Sequence, residues 1–85
     1  MKPWEIVAQE DLSHLEGQHR LILLRSPFPM DPYKIYGLIK RAGSWVLVDK
    51  FLLSGTTGTE APDWAFRKAW PQFQTHQERH QPVVR

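Results

Sequence analysis

Residues Tyr33 to Leu53 read "YKIYGLIKRAGSWVLVDKFLL", two runs of β-branched and aromatic residues on either side of Ala42-Gly43. Such runs around a glycine-containing turn predict a β-hairpin. A loop of two or four residues centred on Ala42-Gly43 pairs Lys40 with Trp45, Leu38 with Leu47, Tyr36 with Asp49 and Lys34 with Phe51. Side chains alternate across a sheet. One face then carries Tyr33, Ile35, Gly37, Ile39, Val46, Val48 and Leu52, with Lys50 near its end. The other mixes aromatics, leucines and charge: Lys34, Tyr36, Leu38, Lys40, Trp45, Leu47, Asp49, Phe51 and Leu53. A three-residue loop would exchange the two faces, because a slip of one residue inverts every side chain. The segment Trp45 to Leu53 is apolar on both sides, unlike a half-solvated antiparallel strand. This reading therefore requires a cover for each face.

Outward from the hairpin, "HRLILLRS" is a short Leu/Ile run that predicts a strand at about 20–25. Pro27, Pro29 and Pro32 in the following "SPFPMDP" exclude regular pairing and force an extended loop. Toward the start of the chain, Trp4, Val7, Ala8, Leu12 and Leu15 recur at helical spacing, with Pro3 at a first-turn position and Gly17 as a stop. That spacing predicts a helix over 3–16. Its rival is a short strand "WEIVA" followed by a helical turn begun by Asp11. Past the hairpin, "APDWAFRKAW" predicts a second helix over 62–70, with Pro62 and Asp63 in its first turn and Pro71 ending it. The rest, "QTHQERHQPVVR", has little but Val83 and Val84 to bury and reads as a loose tail. The expected fold is α+β: a three-stranded antiparallel meander at about 20–25, 33–40 and 45–53, packed with an N-terminal and a short C-terminal helix. A single domain would span 1–73 and a flexible tail 74–85.

The totals agree with one domain. A chain of 85 residues buries roughly 60 to 65% of its unfolded surface. With 41% apolar residues and four Trp it can build one modest core, so assistance from a partner is physically reasonable. The absence of Cys excludes disulfides, thiolate metal sites and cysteine nucleophiles. No run is long enough for a signal peptide or a membrane span, so a soluble cytoplasmic protein without membrane contact is expected. Charge is unevenly spread. Residues 1–16 set Lys2 against Glu5, Glu10, Asp11 and Glu16, whereas 18–50 set Arg20, Arg25, Lys34, Lys40, Arg41 and Lys50 against Asp31 and Asp49. Two opposed segments of one fold, or an anion-binding surface, would each account for this.

The loop "SGTTGTEAPD" invites comparison with a phosphate cradle. It has no Lys before its Ser or Thr and ends in Glu60 and Asp63, which repel an anion. The simpler reading is a hinge, its glycines reversing the chain and Thr57 or Thr59 helping to cap. His76 and His80 share metal-ligand spacing, but no third ligand is set up beside them except Glu78, so no metal is expected. His14, His19, Ser13 and Ser26 lie in no recognised catalytic context, and neither enzymatic activity nor a cofactor is expected. The mixed sheet face remains. Lys34, Tyr36, Lys40, Arg41, Trp45 and Phe51 are the residue types of protein–protein hot spots and also of single-strand nucleic-acid platforms. Alternatively the aromatics lie beneath the N-terminal helix with the lysine stems reaching outward. Phe28 and Met30, in the proline-stiffened loop, form a second candidate binding element, unless Phe28 tucks against the sheet edge. The expected function is an interaction or regulatory module for a protein partner, a second copy of this chain included. Its alternative is a nucleic-acid-binding accessory protein.

Overall fold

The computed structural model describes residues 3–14 and 17–80. Strands β1 (Glu5–His14), β2 (Gly17–Arg25), β3 (Lys34–Arg41) and β4 (Ser44–Leu52) form one antiparallel sheet in chain order, and helix α1 (Pro62–His80) follows. The fold is α+β, but it differs from the expected one at both ends. The sheet has four strands instead of three, and the segment expected to be the N-terminal helix is β1.

The reason lies in a bulge. The β1–β2 register shifts between Ile6 and Ala8, so that Val7 is the extra residue. Val7 and Ala8 both pack against the core, imitating the adjacent apolar pair of an amphipathic helix. Pairing with β2 along the whole of β1 outweighs the weak helical preference of "EIVAQEDL". Leu15, counted toward that helix, lies outside the described residues.

The second difference is the length of α1. It continues through Pro71 to His80, so residues 74–80, expected to be loose, are helical. Residues 81–85 lie outside the described residues. Pro71 removes one helical N–H, but the packing of Phe73 against the sheet holds the chain in line beyond it.

Helix α1 covers one face of the sheet. Ala65, Phe66, Ala69 and Phe73, spaced by one helical face, pack on Leu21, Leu23 and Ile35. Gly37 makes room for Phe73: a Cβ there would fall inside the van der Waals shell of its ring. Beyond the hydrophobic contacts, the Trp70 indole N–H donates to Glu10 of β1 at 3.0 Å, and His76 Nδ1 bonds Asp49 of β4 at 2.8 Å. His76 also meets the Phe51 ring edge-on, with centroids 4.5 Å apart. It therefore anchors the helix, in contrast to a solvated tail histidine. Among the described residues no group of His, Cys, Asp and Glu is placed to hold a metal, and no helix is long and apolar enough to cross a membrane.

The loop before α1 is built around its own carboxylate. Glu60 accepts the Thr57 N–H on both oxygens, at 2.9 and 3.0 Å, so the backbone donor a phosphate would need is taken. The buried Thr56 hydroxyl accepts the Tyr33 N–H at 2.9 Å and donates to the Leu53 carbonyl at 2.7 Å, fastening the loop to the start of β3. Thr57 and Thr59 bond each other through their hydroxyls.

Candidate functional site

Of the two loop lengths expected, two or four residues, the hairpin turn takes two, with φ of 50° at Ala42 and 81° at Gly43. Close to the turn the expected register holds: Lys40 pairs with Trp45 and Leu38 with Leu47. Between Gly37 and Leu38 it shifts, leaving Val48 as the extra residue of a second bulge, so Gly37 pairs with Asp49, Tyr36 with Lys50, Ile35 with Phe51 and Lys34 with Leu52. Everything in β4 beyond Val48 is thereby turned over relative to expectation. Asp49 and Phe51 face α1, while Lys50 and Leu52 take their places on the opposite face. Phe51, expected on the binding face, is a core-side residue.

The face away from α1 is assembled from all four strands. It carries Asp11 of β1, Arg20 and Ile22 of β2, Lys34, Tyr36, Leu38 and Lys40 of β3, and Trp45, Leu47, Lys50 and Leu52 of β4. No described element lies across it. Leu47 is 51% exposed and Leu52 55%. The inference that both flanks of β4 are covered thus fails for a single chain.

At one end of this face Trp45 is set among charges. The Arg20 guanidinium lies 4.1 Å from the ring centroid and Lys40 Nζ 5.7 Å from it. Arg20 is held by a two-pronged bond to Asp11, Nε to Oδ1 at 2.7 Å and Nη2 to Oδ2 at 2.9 Å. That bond from Arg20 holds the Asp11 carboxyl below the usual aspartate range, against the opposing effect of burial and helped by the charges of Arg20 and Lys40. At the other end Lys34 Nζ stands 4.0 Å above the Trp4 ring. Such contacts fix the rings and leave cationic groups over them. Between the two ends lie the half-buried Ile22, Tyr36 and Leu38 beside the exposed Leu47.

Of the remaining expected residues, Arg41 is exposed at the turn opposite Ser44. Phe28 and Met30 do not tuck under the sheet: they are 63% and 67% exposed. Their loop is ordered from within, since Ser26 Oγ donates to Asp31 Oδ2 at 2.7 Å and accepts the Phe28 N–H at 3.0 Å. Arg25 Nε reaches Gly58 O at 3.0 Å, and Met30 sits at a φ of 69°, a strained value for a side chain of its size. A cleft of about 400 Å³ separates this loop from Thr57–Thr59.

The structure therefore brings Lys34, Tyr36, Lys40 and Trp45 onto one face, leaves Arg41 at its rim, places Phe28 and Met30 on a separate loop, and removes Phe51. It adds Trp4, Arg20, Leu47, Lys50 and Leu52. Arg20 had a signal in the sequence, its place at the start of the strand expected at about 20–25; Lys50 and Leu52 had none, because the bulge is invisible there.

Fold and face together define a class: a four-stranded antiparallel meander with a helix on one side and an aromatic, aliphatic and basic face on the other. No protein-family model, curated protein or solved structure matches this chain.

Proposed function

We propose that this chain is a small non-enzymatic interaction module of the cytoplasm that binds a protein partner through the face opposite α1, with the Phe28–Met30 loop as a second contact. The observation that carries this reading is the exposure of Leu47 and Leu52 beside Ile22, Tyr36, Leu38 and Trp45 on one continuous sheet face. Fully burying an aliphatic side chain is worth about 1.5–3 kcal/mol, so a partner that covered these leucines would gain affinity from each. Trp and Tyr at the centre with Lys and Arg around them follow the composition of interface hot spots. The rigid proline loop would dock its two apolar tips at little entropic cost.

Single-stranded nucleic acid is the alternative use of Lys34, Tyr36, Lys40, Arg41 and Trp45. Two observations weigh against it: cations already lie over the Trp4 and Trp45 rings where bases would stack, and the leucines offer nothing to a base. A net charge of +2 is also low for affinity built on phosphate contacts. The test compares the wild-type chain, a Leu47→Asp/Leu52→Asp variant and a Phe28→Ser/Met30→Ser variant as baits in the same lysate, with circular dichroism as the folding control. A partner retained by wild type should be lost by the first variant and weakened by the second. Equal retention by a folded Leu47→Asp/Leu52→Asp chain would remove the face from consideration, and salt-sensitive Trp quenching by random single-stranded DNA would favour the alternative.

A further inference from the structure

We infer that the partner presents an acidic segment with interspersed apolar side chains to this face. The inference rests on the sheet-face reading and names the chemistry of its occupant. On the strands of this face Arg20, Lys34, Lys40 and Lys50 stand against Asp11. Asp11 is already engaged by both prongs of Arg20. Lys34, Lys40 and Lys50 take part in no ion pair among the described residues. The apolar centre made by Leu38, Leu47 and Ile22 is thus bordered by Lys40 toward the turn and by Lys50 and Lys34 toward the proline loop.

Complementarity selects among occupants. A second copy docked face to face would bring these cations against their own counterparts, and like charges across an interface cost affinity. A purely apolar partner would bury the lysine ammonium groups near its rim without compensation. A nucleic acid would satisfy the cations and leave Leu47 and Leu52 against sugar and phosphate. An acidic, apolar-studded segment satisfies both sets, with carboxylates meeting Lys34, Lys40 and Lys50 while its apolar residues cover the leucines.

Panning a display library of random peptides against the full chain tests this without presupposing a sequence. Enriched peptides should combine Asp or Glu with Leu, Ile, Phe or Trp. Their affinity should fall by about tenfold or more in Lys40→Glu/Lys50→Glu, chiefly through slower association, and should weaken as salt rises. Arg67→Glu, a charge reversal on the outer side of α1, should leave it unchanged. Equal weakening by Arg67→Glu would reduce the effect to net charge and overturn the inference. Enriched peptides that are neutral yet lost in Leu47→Asp would overturn the acidic partner while sparing the sheet face. Peptides indifferent to Leu47→Asp, or no enrichment, would overturn both. Tighter binding of oligothymidylate than of any selected peptide, or a dimer in light scattering that Leu47→Asp dissolves, would hand the face to nucleic acid or to a second copy.

Discussion

Gly37 shows how one residue sets the distance between helix and sheet. Its missing side chain is the socket of Phe73, which is buried to 1% exposure and cannot swing away. Gly37→Ala should therefore destabilise the fold by about 1–3 kcal/mol, read as a lower denaturation midpoint with an unchanged slope. At the turn a larger side chain stabilises instead. Ala42 holds a left-handed φ of 50° that its Cβ disfavours, and Asn before Gly43 is the pairing such turns prefer. Ala42→Asn should raise stability by about 0.5–1 kcal/mol. In the hinge loop, burial pushes the Glu60 carboxyl up, but hydrogen bonds from the Thr57, Glu60 and Thr59 backbone and the Thr57 hydroxyl together hold it below its ordinary value of 4.5. A carboxylate depressed in the folded state stabilises above its unfolded value and loses that contribution as pH falls through the folded one. Stability should thus decline below about pH 4.5. Glu60→Gln, and separately Asp11→Asn, should flatten that acid limb in urea titrations across pH.

Each strand of the hairpin could be placed from alternation, and observed boundaries lie within a residue of the expected ones. What alternation could not supply was Val48. A bulge adds a residue without changing the pattern of residue types, so nothing in "WVLVDKFLL" shows that Asp49 and Phe51 turn to the helix side while Lys50 and Leu52 join Trp45 and Leu47 on the open face. The same device at Val7 made a strand look helical. Both bulges lie on the outer strands, where an irregular edge discourages pairing with other chains. In α1, Pro71 deprives the Arg67 carbonyl of its helical donor. Pro71→Ala should stabilise the helix by up to about 3 kcal/mol, seen as a higher thermal midpoint in far-UV circular dichroism. A fall in the midpoint would mean that the proline ring itself packs.

As a whole the described residues form two layers, and among them only one side of the sheet is covered by another element. The helix layer is fastened at three places: the Phe73 socket, the Trp70–Glu10 bond to β1 and the His76–Asp49 bond to β4. The other side keeps Leu47 and Leu52 in water with lysines around them. Like-charge repulsion between such faces leads us to expect the mass of one chain in light scattering at low salt. Leu47→Asp should leave the melting midpoint almost unchanged, since the side chain it replaces is already half in solvent.

By itself the sequence determined the hairpin, its turn at Ala42-Gly43, the proline loop, the glycine-threonine hinge and the start of the C-terminal helix. Each of these is encoded within a few neighbouring residues, by φ preferences, missing donors and alternation of polarity. Tertiary structure alone decided that residues 5–14 pair as a strand, that α1 runs past Pro71, and that Lys50 and Leu52 replace Asp49 and Phe51 on the open face. Those outcomes turn on which distant segment lies alongside. A strand partner, a helix seated on a sheet and a bulge in a ladder take their energy from contacts between segments far apart in the chain, and no local pattern records them.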